Sequence, residues 1–294
     1  MRLSNGSTNF LPEGITMTDE HEIRKQVRKS YAKVVEGSSG CSCGPNSSCC
    51  GGATTAEQIS GKVGYSAEEM GAVPDGSNLG LGCGNPLAHA AIHEGDTVLD
   101  LGSGAGFDCF LAARKVGKTG RVIGVDMTHE MLIKARENAK KAGATNVEFR
   151  LGEIESLPVA DNSVDLIISN CVINLSPDKA RVFREAYRVL KPGGLLMVSD
   201  IVLVQELPEA VRSSMAAYAS CIAGASLKEE YLDSIRKANF SDVVILEETR
   251  IPFDLAAVDP LMKAGFDSLS LSENEYSDIG DSVRSVKVKA MKRK

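Results

Sequence analysis

From residue 96 onward short apolar segments alternate with longer amphipathic ones, and that rhythm constrains the fold more than anything else in the chain. DTVLDLG (96–102), RVIGVDM (121–127), NVEFRLG (146–152), VDLIISNC (164–171) and GLLMVSDIV (194–202) read as strands. FDCFLAARKVG, HEMLIKARENAKKAG and DKARVFREAYRVL stand among them with helical spacing. Strands this apolar must be covered on both faces, which calls for a doubly wound, mostly parallel α/β sheet. Residues 203–226 interrupt the pattern with an apolar-rich helical insertion after strand five that carries Cys221. Helix LKEEYLDSIRKANF then leads to strands near 242–248 and 283–291. No long helix is read between those two, so they are expected to pair antiparallel as a C-terminal hairpin and complete a seven-stranded sheet.

The first third of the chain lacks this rhythm. Residues 1–20 are polar and Gly/Ser-containing, and are expected to be disordered. Ile23, Val27, Tyr31 and Val34 draw one stripe of a helix that Thr18 or Asp19 caps and that runs to about Val35. GSSGCSCGPNSSCCGG (37–52) has no periodicity, so residues 21–92 read as a helix followed by a Cys- and Gly-rich arm. Residues 93–294 form the sheet domain. Eight cysteines in 294 residues are too few for a disulfide scaffold. A net charge of −6 argues against a nucleic-acid binder. Apolar runs such as LLMVSDIVLV (195–204) are too short to span a membrane. The N-terminus lacks the apolar core of a signal peptide, so the expected location is cytoplasmic and the expected state a monomer.

DLGSGAGFD (100–108) joins the first strand to its helix. Gly102, Gly104 and Gly106 let the backbone turn tightly and come close to a ligand, with Ser103 between the first two. Asp126 ends the second strand, where a carboxylate can accept both ribose hydroxyls of a nucleoside. The loop is G-x-G-x-G, whereas a dinucleotide site asks for G-x-G-x-x-G. The alternative is a plain strand-to-helix turn with incidental glycines.

This spacing resembles the class I S-adenosylmethionine-dependent methyltransferases, and Asp100 at the start of the loop fits their pattern. The resemblance implies a Rossmann-like fold and S-adenosylmethionine as cofactor. It places Asp126 on the ribose and Met127 beside the adenine. It also puts Glu153 and Ile154 at the edge of the purine, and Asn170 facing the methionine part.

The cysteines stand at 41, 43, 49, 50, 83, 109, 171 and 221. Cys171 ends the fourth strand, at the edge where open α/β sheets bind ligands. Cys221 lies in the insertion expected to fold over that edge, and Cys83 lies in the Gly-rich LGLGCGNP. Three thiols converging from distant segments suit a soft, thiophilic centre. Cys109, inside a helix, reads as a small buried apolar residue.

Here LGLGCGNP, LDLGSGAGFDCFLAARKVG, VIGVDMT, FRLGEIESLPV, ISNCVINLSPDKARVFREAYRVLKPGG and YASCIAGA are together similar to the microbial arsenite methyltransferases, over roughly residues 24–250. The resemblance implies that Cys83, Cys171 and Cys221 bind trivalent arsenic, with Cys171 and Cys221 catalytic. A further thiol maps onto the pair Cys49 and Cys50, whereas Cys41 and Cys43 have no firm counterpart. Arsenite and methylarsenite are the implied substrates, and a thiol reductant of thioredoxin or glutathione type the implied partner. Two other readings compete. One is a methyltransferase of a small organic substrate with a metal-binding Cys cluster; the spacings C-x-C and C-C are not those of a zinc ribbon. The other is a non-enzymatic binder of thiophilic metals, which leaves the glycine loop and Asp126 unexplained.

Overall fold

The structure, a computed structural model, describes residues 19–38, 56–251 and 273–294. Its centre is a seven-stranded sheet of order β3-β2-β1-β4-β5-β7-β6. The strands are β1 Thr97–Leu101, β2 Arg121–Asp126, β3 Val147–Leu151, β4 Val164–Asn170, β5 Leu190–Leu203, β6 Phe240–Arg250 and β7 Val283–Lys292. The first five run parallel, and β7 is antiparallel to both β5 and β6. Every residue of β1 is buried, which explains why its apolar run does not alternate. The strand order reverses at β1, so the carboxyl ends of β1 and β4 border a crevice open to a ligand.

Helices α1 Glu20–Ser38, α2 Ala56–Lys62, α3 Ala67–Gly71, α4 Phe107–Val116, α5 His129–Ala142, α6 Lys179–Val189, α7 Glu209–Arg212, α8 Met215–Ala219, α9 Lys228–Lys237 and α10 Glu273–Ser282 complete the described elements. Their ends follow from local chemistry. Asp178 caps α6 by accepting from the Arg181 N–H at 2.9 Å. Gly143 stops α5 in the left-handed region, φ 61°, where only glycine is at ease. Asp19 accepts from the N–H groups of His21 and Glu22 at the start of α1. The buried residues of α1 are Ile23, Val27 and Val35, with Tyr31 and Val34 half-buried.

Two cores cover the sheet. On one face Phe183 of α6 meets Tyr231 of α9 edge to face, ring centroids 5.5 Å apart and both fully buried. Truncating such a ring costs about 3–5 kcal/mol. On the other face Phe110 and Leu111 of α4 pack with Leu132 of α5 and Leu166 of β4. A third cluster gathers at the carboxyl edge, where Val27 of α1, Ile201, Tyr218 and Ile279 surround Cys83, Cys171 and Cys221.

Two elements differ from the sequence reading. The Lys-Pro-Gly-Gly segment (191–194) belongs to β5 as an irregularity, since pairing jumps from Val164 with Leu190 to Leu166 with Leu195. A Cβ at Gly194 would lie 2.9 Å from the Lys191 oxygen and 3.0 Å from the Asp165 oxygen, so only glycine fits there. β6 and β7 do pair antiparallel, but α10 lies between them. Its polar sequence carries few apolar positions and hid the helix. Among the described residues no helix is long and apolar enough to cross a membrane.

Candidate active site

At the carboxyl ends of β1, β2 and β4 lies a cavity of about 1020 Å³, its open mouth included. The glycine loop forms one wall. Gly102 and Gly104 have φ of 71° and 52°, and a Cβ at Gly102 would collide with the Val172 side chain. The backbone of Gly104 is thereby brought to Asp126, whose Oδ2 accepts its N–H at 2.9 Å. Oδ1 of Asp126 accepts from the Thr128 N–H at 2.7 Å. Two backbone donors therefore aim this carboxylate, and its remaining lone pairs are available to the cavity it lines. Burial raises its pKa, against the pull of those two bonds.

The cavity fits a nucleoside with a charged tail. Ser103 lines it, while its Oγ is shut off from the cavity close to Gly124 and has no partner among the described residues. Met127 and Ile154 present apolar surface to the same space. Asp100 is buried below the loop, where burial and the nearby Asp108 carboxylate hold its pKa well above the usual range. The Cys109 thiol, in α4, donates to Asp100 Oδ2 at 3.2 Å and stays apart from the other thiols.

Glu153, placed by sequence at the purine edge, is found on the outer side of this wall. Its carboxylate lies 3.7 Å from Arg24 and 3.6 Å from Arg28 of α1, with 41% of the side chain exposed. Of these two glutamates it is Glu155 that lines the cavity. It is buried, and accepts from Arg24 at 3.0 Å and from Ser176 at 2.7 Å. Helix α1 thus closes one side of the cavity through a partly buried ion pair. A charge so far along the chain from the glycine loop gave no local signal.

Asn170 joins the cofactor-sized cavity to the thiols. Its Nδ2 donates to the Gly84 oxygen at 2.8 Å and the Tyr65 hydroxyl at 3.0 Å, and its Oδ1 accepts from the Cys83 N–H at 3.1 Å. Tyr65 in turn donates to Asp108 at 2.6 Å. Burial pushes Asp108 up to about 6, although Tyr65 and Asn170 pull the other way. The glycines of LGLGCGNP serve this junction. A Cβ at Gly82 would sit 2.8 Å from the Asn170 side chain, and one at Gly84 would collide with Ser199 Oγ.

Cys83, Cys171 and Cys221 come together at this edge, all buried and all free thiols. Cys171 lines the cavity. Both Cys171 and Cys221 have left-handed backbones, with φ of 60° and 66°. That conformation costs a non-glycine residue roughly 1–2 kcal/mol, so packing must hold it. The Cys171 N–H donates to the Ser199 oxygen at 2.8 Å, and the Cys221 thiol donates to the Cys171 oxygen at 2.7 Å. Tyr31 of α1 brings its hydroxyl to 4.0 Å from the Cys221 sulfur. Burial raises the Cys83 thiol, and burial with the adjacent Cys221 and Cys83 thiols raises Cys171 well above the ordinary value. Cys83 and Cys171 are therefore stored as neutral thiols. Cys41, Cys43, Cys49 and Cys50 lie outside the described residues.

Beneath the thiols sits Asp200 of β5, fully buried. It accepts from Asn174 at 2.8 Å, from the Ile201 N–H at 2.9 Å and from Tyr231 at 2.9 Å. In sequence it only interrupts an apolar run, and nothing there marks it as part of the site.

Comparison with known proteins agrees with this geometry. Residues 92–239 match the model of a methyltransferase domain. The chain is 50% identical over 234 residues to an arsenite methyltransferase of Halobacterium salinarum, covering 77% of this chain and 59% of that protein. It is 39% identical over 252 residues to one of Aquipseudomonas alcaligenes, covering 83% of this chain and 70% of the relative. The chain thus spans less than two thirds of the Halobacterium protein's length. The crystal structure of an arsenic(III) S-adenosylmethionine methyltransferase from Chlamydomonas reinhardtii superposes with a TM-score of 0.59 at 35% identity, covering 83% of this chain and 75% of that one. With its parallel sheet, glycine loop and gathered thiols, the chain belongs to the arsenite methyltransferase family of class I S-adenosylmethionine-dependent methyltransferases.

Proposed function

We propose that this chain transfers a methyl group from S-adenosylmethionine to trivalent arsenic held by the thiols of Cys83, Cys171 and Cys221. The observation that carries the reading is Cys171. Cys171 lines the same cavity as the glycine loop, on a backbone bent into the left-handed region, with two thiols from distant segments packed beside it.

Arsenite exchanges its three hydroxides for three sulfurs, and each hydroxide leaves as water with one thiol proton. The thiols of Cys83 and Cys171, held neutral by burial, therefore need no separate base. Asp126, already aimed by two backbone N–H groups, would take the ribose hydroxyls. Met127 and Ile154 would flank the adenine. Bound there, S-adenosylmethionine supplies a methyl group on a positively charged sulfur. Trivalent arsenic in a three-sulfur pyramid keeps a lone pair, which attacks that carbon. The As–C bond forms, the C–S bond breaks with its electrons passing to sulfur, and the positive charge passes to arsenic. The protein's part is alignment, worth up to about 7–11 kcal/mol.

Arsenic leaves this step formally pentavalent. Two thiolates that join as a disulfide return two electrons to it, and a thiol reductant of thioredoxin or glutathione type resets them. Cys49 and Cys50 are assigned to that supply of extra thiols. The need for free thiols fits a reducing compartment such as the cytosol.

The test is arsenic speciation after the purified chain is incubated with arsenite, S-adenosylmethionine and a thiol. Methylated arsenic and one S-adenosylhomocysteine per methyl are expected. Tight binding of both ligands without methylated arsenic would overturn the reading.

A further inference from the structure

The Sγ atoms of Cys83 and Cys171 and a carboxylate oxygen of Asp200 all lie within 4.8 Å of one another, and all three residues are buried. Cys221 packs in the same cluster, its thiol on the Cys171 carbonyl. The methylation reading uses the three sulfurs and leaves the carboxylate without a part. We infer that Cys83, Cys171, Cys221 and Asp200 form a four-ligand site for a divalent d¹⁰ cation, zinc or cadmium, at the same thiols that take arsenic.

The inference rests on coordination number. Trivalent arsenic is complete with three thiolates. Zinc asks for four ligands in a tetrahedron, with Zn–S near ~2.3 Å and Zn–O near ~2.0–2.2 Å. Such bonds put neighbouring ligand atoms roughly 3.5–3.8 Å apart. The three atoms already within 4.8 Å, those of Cys83, Cys171 and Asp200, need to close by about 1 Å at most. The Cys221 thiol lies outside that set and must turn in from the Cys171 carbonyl to complete the four. Softness agrees, since thiolates select zinc and its heavier congener. Charge agrees as well. Three thiolates and one carboxylate leave a divalent cation at −2, the same as the common four-cysteine zinc site. Lys179 interacts with both Asp200 and Cys221 and offsets part of that charge. As each S–metal bond forms, the thiol proton passes to solvent.

The two ligands take opposite sides of the sulfurs. Cys171 lines the cavity, so arsenic with its lone pair faces that space. Asp200 is fully buried behind the thiols, held by Tyr231 and Asn174, so the divalent cation sinks away from it. Occupancy by one excludes the other.

The site is tested in the full chain with Cys41, Cys43, Cys49 and Cys50 changed to Ser, so that only the thiols named above and Cys109 remain. Zinc affinity is read by competition with a chromophoric chelator, and arsenite affinity by its competition for the same thiols. Asp200→Asn is expected to weaken zinc by at least about tenfold while arsenite changes less than about twofold. In Asp200→Cys, zinc-edge X-ray absorption is expected to show four sulfurs in place of three sulfurs and one oxygen. An Asn variant that binds zinc as tightly as its parent overturns the site. So do equal losses for zinc and arsenite, or an oxygen retained on zinc in the Cys variant. Neither readout requires turnover, so a failure of this site is distinguishable from a failure of the methylation reading.

Discussion

The two ends of the cavity are built in opposite ways. The nucleoside end comes from two short stretches, 100–108 and 126–128, whose strand–loop–helix geometry sets almost every contact locally. The thiol end is assembled from Cys83, Cys171 and Cys221, brought in by a glycine-rich loop, a strand end and an insertion. It carries two residues in a backbone conformation they would avoid if free. A site made by local geometry tolerates changes elsewhere, whereas one made by packing depends on every segment that delivers a ligand. The two ends should therefore fail separately.

The largest effect sharpens that contrast. Cys171→Ser is expected to abolish methylation of both arsenite and methylarsenite, because a hydroxyl is too hard and too weakly acidic to replace the thiolate. Binding of S-adenosylhomocysteine, read by calorimetry, should change less than about twofold. Loss of both would break the separation. Asp126→Ala is the reverse case. Removing charged acceptors of two hydroxyls, at about 1.5 kcal/mol each or more, should weaken that ligand about 100-fold and leave arsenite binding intact.

Asn170→Ala should blur the two ends, since this side chain pairs with Cys83 and Gly84 on one side and Tyr65 on the other. An unpaired buried backbone group costs about 1–3 kcal/mol. Arsenite affinity is expected to fall about tenfold as the Cys83 loop loosens; unchanged affinity would show that its bonds to Ser199 of β5 and Ser285 of β7 hold it without Asn170.

The smallest effect is a pH dependence at Asp108. Its folded pKa, about 6, lies above the unfolded value of 3.8, so the folded state resists its ionisation. That cost is absent below pH 3.8, grows as pH rises and is complete above about 6. Asp108→Asn should therefore gain stability over the parent by about 1 kcal/mol more at pH 8 than at pH 5, some 2–4 °C in melting temperature. A gain that shrinks as pH rises would contradict the assignment.

The sheet and the nucleoside end were legible because their signals are local. Apolar runs set β1 to β5, and Gly102, Gly104 and Asp126 lie within one strand–helix–strand unit, β1-α4-β2. The convergence of Cys83, Cys171 and Cys221 could be read only from the edge to which each segment returns. What escaped depends on long-range packing. Glu153 and Glu155 differ by two positions and both reach Arg24 of α1, but Glu155, which turns inward, also accepts from the distant Ser176 hydroxyl. Asp200 looks like a polar break in a strand until Asn174 and Tyr231 are folded against it. The Lys-Pro-Gly residues before the strand read at 194–202 carry no strand signal, and it is the pairing of Leu190 and Leu195 with β4 on either side that keeps them in β5.

Arsenic-edge X-ray absorption tests the thiol pyramid most directly, on the full chain with Cys41, Cys43, Cys49 and Cys50 replaced by Ser and loaded with arsenite. Cys83, Cys171 and Cys221 alone should give arsenic three sulfur neighbours and no oxygen. Two sulfurs and one oxygen, with the third sulfur returning only when Cys49 and Cys50 are restored, would contradict it.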